Sequence, residues 1–110
     1  MEKFTIEMVE DKLRTGQVAP GELSLIMLWL GGDYSYHAGL IDQVLRSKPS
    51  IWNGLRPDYK SDTATERAWQ QTSEGLLEQS LKLRLKRDEI MMRAVKARIG
   101  VLETEARNIT

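Results

Sequence analysis

The chain reads as an all-α protein, with short N-terminal helices packing on one long C-terminal helix in an oligomeric bundle. Three observations carry that reading. Residues 62–107 contain no proline and only two glycines. The apolar residues on either side of Pro20 recur at helical rather than strand spacing. No alternating segment is bounded by turn residues as a strand should be. A helix over residues 62–107 would be about 69 Å long at 1.5 Å per residue, longer than a 110-residue globule is wide.

The first helix starts at Thr5, a good N-cap, and uses Ile6, Val9 and Leu13 as its apolar face. Gly16 is its stop signal. Pro20 suits the first turn of a second helix. Leu23, Ile26, Met27 and Leu30 form one face there, and Leu25, Leu28 and Trp29 cover much of the rest. The Gly31-Gly32 pair predicts a kink or a break, with Asp33 able to cap a new helix that carries Leu40, Ile41, Val44 and Leu45. These helices account for residues 1–47. A connector over residues 48–61 is punctuated by Pro49, Gly54 and Pro57 yet carries Ile51, Trp52, Leu55 and Tyr59, so it should pack onto something.

The long helix opens at Asp62 or Thr63, and Thr63 and Glu66 have capping-box spacing. Around a wheel of 3.6 residues per turn it carries two apolar stripes. The first is Leu77, Leu81, Leu85, Met92, Val95, Ile99, Leu102 and Ala106. The second, about 150° away, is Trp69, Thr72, Leu76, Leu83, Ile90, Ala94 and Val101. One stripe can bury against the N-terminal helices and the other needs a second surface, most simply another subunit. Leu77, Leu81, Leu85, Met92, Val95, Ile99 and Leu102 are assigned to the oligomer interface. Residues 81–86 alternate with period two like a strand, but helix formers flank them on both sides. One domain is the natural count for 110 residues.

Composition excludes several function classes. There is no cysteine, so disulfide and thiol chemistry are out and a reducing cytoplasm is the expected setting (that of the host, if the chain is phage-encoded). Residues 1–10 are acidic and lack the apolar run of a signal peptide, and residues 23–30 are too few to span a bilayer. His37 is the one histidine and no metal-ligand spacing surrounds it. No nucleophile triad or phosphate-binding loop is present. A non-enzyme is therefore expected, with no cofactor, no metal, no small-molecule substrate and no membrane.

Net charge is zero, so the distribution matters more than the sum. Residues 82–98 hold seven basic residues against Asp88 and Glu89. Lys82, Lys86, Arg93 and Lys96 lie on the polar face of the helix, where they can neutralise phosphates. Arg46, Lys48, Arg56 and Lys60 sit beside Trp52 and Tyr59, and cations interleaved with aromatics suit single-stranded nucleic acid. These ten residues are the candidate nucleic-acid contacts. The bland alternative is a solvated helix face plus aromatics that cap the bundle.

Two stretches resemble a known family. They are Tyr59-Lys60-Ser61-Asp62-Thr63-Ala64-Thr65-Glu66-Arg67-Ala68-Trp69 and Arg93-Ala94-Val95-Lys96-Ala97-Arg98-Ile99. A lysine-serine helix start and a late Ala-x-Lys-x-Arg element look like the small phage recombination mediators, the UvsY-like proteins. Leu25-Ile26-Met27-Leu28-Trp29-Leu30 resembles that family's apolar first helix. The resemblance implies a helical homo-oligomeric ring that binds single-stranded DNA and loads a strand-exchange recombinase without an ATPase. The family's DNA contacts are basic residues of its N-terminal half. This chain has no matching motif before Arg46, so its candidate contacts rest on local composition. A helical protein–protein module without nucleic-acid binding, such as an assembly subunit or a small inhibitor of a host or defence complex, is the alternative.

Overall fold

Helix α1, Ile6–Thr15, begins where Thr5 Oγ1 accepts the backbone N–H of Met8 and ends at Gly16, whose φ of 70° is the left-handed conformation that glycine supplies without strain. A computed structural model describes residues 4–109 of the chain; residues 1–3 and 110 of the predicted domain, and with them the start of the acidic N-terminal stretch, lie outside the described residues. All four α-helices are accounted for within that range, and no strand occurs among the described residues.

Helix α2, Pro20–Leu55, differs from the prediction by being one helix of 36 residues. Pro20 occupies its first position, and Glu22 accepts the backbone N–H of Ala19, the reciprocal half of a capping box. The Gly31-Gly32 pair does not break it. Two helix-interior glycines cost about 2 kcal/mol together. Burial of Leu23, Ile26 and Leu30 on one side of the pair contributes about 1.5–3 kcal/mol per side chain, so packing wins. Pro49 does not break it either, although its ring cannot donate to the carbonyl of Leu45. The helix runs on because Ile51, Trp52 and Leu55 pack on a core beyond the proline. The predicted loop over residues 48–61 therefore shrinks to a single 3-10 turn, Arg56–Asp58, and three residues after it.

The long C-terminal helix is also corrected, because it is two helices. Helix α3, Asp62–Gln71, is capped by Ser61, whose Oγ accepts from Ala64 N–H. Thr63 and Asp62 are not the cap, and Glu66 is turned elsewhere. Helix α4, Ser73–Ile109, has 37 residues. Between them stands one extended residue, Thr72 (φ −70°, ψ 160°). Its hydroxyl donates to the Trp69 carbonyl at 2.6 Å and accepts the Gly75 N–H at 3.0 Å, so it closes α3 and caps α4 at once. Gly75 is required there. A Cβ on it would lie 2.0 Å from the Trp69 carbonyl oxygen.

The chain divides into two compact units. One holds the described residues up to Tyr34 together with those from Arg87 onward; the other is Ser35–Lys86. In the first, Ile6, Val9, Leu23, Ile26, Leu30, Met91 and Val95 make a buried aliphatic core, with Met92, Ile99 and Leu102 packed against it. Lys12 bridges α1 to Glu22 on α2 at 2.9 Å, and Arg87 on α4 holds Glu10 on α1. In the second, Ile41, Val44, Trp69 and Leu81 are buried, and Leu85 packs on them.

Most of the residues assigned to the oligomer interface pack in these cores. Leu81, Leu85, Met92, Val95, Ile99 and Leu102 face the chain's own helices, while Leu77 stays about half exposed and Ala106, at the end of the stripe, is exposed too. The stripe left for another surface is the second one. Leu76, Leu83, Ile90 and Val101 are all largely exposed, whereas Trp69 at its head is buried.

Candidate nucleic-acid interface

The second unit gathers part of the predicted site and neutralises it in doing so. Successive turns of α2 present Lys48 and Trp52, and α3 presents Glu66 opposite them. Lys48 Nζ donates to Glu66 Oε1 at 2.9 Å, and the Trp52 indole N–H donates to Oε2 at 3.1 Å. The Lys48 ammonium also lies 5.4 Å from the centre of the Trp69 ring, within cation–π range. The hydrogen bond from Lys48 is the largest influence on Glu66. It acts with the charges of Lys48 and Lys82 and the Trp52 N–H, and against partial burial, to hold that carboxyl below the ordinary carboxylate range. This network orders α2 on α3. It leaves no free positive charge for a phosphate.

Two open concavities flank Trp52. One of about 360 Å³ is lined by Leu45, Lys48, Pro49, Trp52 and Glu66. The other, about 530 Å³, is lined by Trp52, Asp62, Thr63, Glu66, Arg67 and Gln70. With Asp62 and Glu66 in their walls, neither has the electropositive lining that a nucleic-acid backbone needs.

Three further candidates are paired. Arg46 holds Asp42 one turn back on α2. Arg56 donates to Asp62 and to the backbone carbonyl of Tyr59. Lys82 donates to Glu78, a nearly buried carboxylate whose other oxygen, Oε2, has no donor. Tyr59 and Lys60 are both exposed, just before α3.

The remaining candidates lie on α4. Lys86 in the second unit, and Arg93 and Lys96 in the first, are exposed and have no carboxylate partner among the described residues. Lys82 shares the second unit's part of α4 with Lys86. Leu76 and Leu83 in the second unit, and Ile90 and Val101 in the first, are exposed apolar residues of the same helix.

Sequence reasoning missed the carboxylates that do the pairing. Glu66 was read as a cap and Asp62 as an alternative cap. Their partners stand 18 and 6 residues away, and only the fold of α3 on α2 brings Lys48 to Glu66. Asp88, one of the two acids among the basic residues 82–98, is fully buried in the first unit, and its carboxylate comes within 4.8 Å of that of Asp33. Both have interaction partners in the protein. His37 is half-buried, with its ring edge-on to Tyr36 at 5.2 Å between centroids. No helix of the described chain is long and apolar enough to cross a membrane.

Fold and site together define an all-α protein with exposed apolar and basic residues on its helices. No protein-family model, curated protein or solved structure matches the chain.

Proposed function

We propose that the protein is a non-enzymatic accessory protein that acts as an oligomer and binds single-stranded DNA along the cationic face of α4, assisting a strand-exchange recombinase. The observation that carries the reading is that Lys86, Arg93 and Lys96 of α4 are exposed and have no carboxylate partner among the described residues. Three cations per subunit give weak binding alone. Repetition around an oligomer multiplies avidity without any new contact. The DNA surface proposed is narrower than the ten residues of the sequence pattern, because Arg46, Lys48, Arg56 and Lys82 are committed to carboxylates.

The test is fluorescence anisotropy of labelled single-stranded DNA from low to physiological salt. Binding that weakens steeply with salt, and that is lost in the Lys86→Glu/Arg93→Glu/Lys96→Glu protein, supports the reading. No binding at low salt overturns it. So does binding that survives in the triple variant.

A second reading is a protein–protein module without nucleic-acid binding. It is favoured by the exposed row Leu76, Leu83, Ile90 and Val101, apolar surface with no intrachain use. It requires that Leu83→Asp with Ile90→Asp abolish association while the charge-reversed protein associates normally.

A further inference from the structure

Helix α2 turns an outward strip to solvent in the first unit that none of the described residues covers. Leu25 is 56% exposed and Leu28 75%, the highest value among the exposed large apolar residues. Gly21 and Gly32 bracket them on the same face. A Cβ at either glycine would meet no atom within 4 Å, so nothing inside the chain calls for glycine there. No charged residue occurs from Leu23 to Gly32. Glu22, just before, is turned to Lys12 and to the Ala19 N–H.

The pattern is symmetric. Gly21, Leu25, Leu28 and Gly32 follow at intervals of 4, 3 and 4, and residue types and spacing read the same in either direction. A contact across a two-fold axis must be self-complementary: if one residue touches another across it, the reverse contact is also made. An antiparallel copy of α2, related by an axis between Ile26 and Met27, sets Leu25 against Leu28 of the second copy and Gly21 against its Gly32.

We propose that this strip is an isologous, antiparallel contact between two copies of the chain. Charge fits that occupant. An uncharged strip meets an uncharged strip, so no ion is desolvated and no like charges face each other. The strip offers no cation to nucleic acid and no counter-charge to a charged partner. Glycines at both ends let the two helix axes approach more closely than the usual 8–10 Å. Area sets the strength. A stable standard interface takes about 800 Å² per partner, roughly a tenth of this chain's 7801 Å² of surface. Three turns of helix, about 17 Å long, supply only part of that. The dimer is therefore concentration-dependent rather than obligate. This inference does not rest on the DNA-binding reading, and its surface is distinct from the exposed row on α4.

Sedimentation velocity from low to high micromolar concentration tests it. A monomer–dimer equilibrium is expected. Leu28→Glu should weaken it at least about tenfold, or 1.4 kcal/mol, with helicity by circular dichroism unchanged because the side chain is exposed. Leu83→Glu on α4 should leave it unchanged. The chain has no cysteine, so single-cysteine variants report the register. A mixture of Leu25→Cys and Leu28→Cys proteins should form a disulfide dimer faster than either alone. A monomer at every concentration overturns the proposal, as does a dimer indifferent to Leu28→Glu. Faster like-with-like cross-linking overturns the antiparallel register.

Discussion

The two units of this chain share α2 and α4 and solve their packing differently. In the first, the buried core is aliphatic throughout, built from Ile6, Val9, Leu23, Ile26, Leu30, Met91 and Val95 on three helices. In the second, a buried indole joins Ile41, Val44 and Leu81. Trp69 is 1% exposed, has a lysine over its ring, and lies one turn before a backbone contact that admits only glycine. An aliphatic core spread over many side chains can redistribute a small loss among its neighbours. A core built on one large ring and one close backbone approach has no such slack.

The sharpest test of that contrast is Trp69→Ala, expected to destabilise by about 3–5 kcal/mol. Ile26→Ala in the first unit should cost less, about 2–4 kcal/mol within the same class of change. Equal losses by denaturant titration would erase the distinction. Next is a pair of glycines on one helix. Gly75→Ala must push a methyl group into the Trp69 carbonyl and should cost about 3 kcal/mol. Gly100→Ala meets nothing within 4 Å and should gain about 0.5–1 kcal/mol. If both alanines were tolerated alike, the turn at Thr72 would not be the fixed point described here.

A smaller effect is expected from the Lys48–Glu66–Trp52 network. Glu66→Gln keeps the shape and loses the charge, for about 1 kcal/mol at neutral pH given the exposure of the pair. The sign with pH follows from the lowered folded-state pKa of Glu66. The carboxylate contributes its full stabilisation above the unfolded value of about 4.3. That contribution disappears as pH falls through the lowered folded value. Acid titration of the Glu66→Gln protein should therefore show a shallower acid limb than the parent. Glu22 in the first unit is lowered too, chiefly by its hydrogen bond from Lys12. Glu22→Gln should flatten the same limb independently, and non-additive flattening would mean that the two units do not respond separately.

Much of the helical content was legible in the chain, and for local reasons. Thr5 and Gly16 bound α1 because caps act within one turn of themselves. Ile26, Leu30 and Val95 announce their burial through helical spacing. Where the reading failed, a distant contact outweighed a local signal. Gly31-Gly32 and Pro49 read as breaks, yet residues on both sides of each are held by cores that the local pattern does not reveal. Thr72 is the reverse case, because a helix start was written there. A hydroxyl residue followed by Ser73 and Glu74 is a usable N-terminal signal, obscured by the strong helix formers on either side. The candidate interface was least legible. Composition displayed its cations, and only the fold shows that Lys48, Arg56 and Lys82 each already face a carboxylate.

The distribution of the three tryptophans makes the protein its own reporter. Trp29 belongs to the first unit, where it is half-buried beside Phe4. Trp52 and Trp69 belong to the second. Indole emission moves to longer wavelength as water reaches the ring. A Trp29→Phe chain would therefore emit from the second unit alone, and a Trp52→Phe/Trp69→Phe chain from the first alone. Melting the two side by side would show whether the halves of α2 and α4 unfold as one body or in sequence, with no extrinsic dye attached.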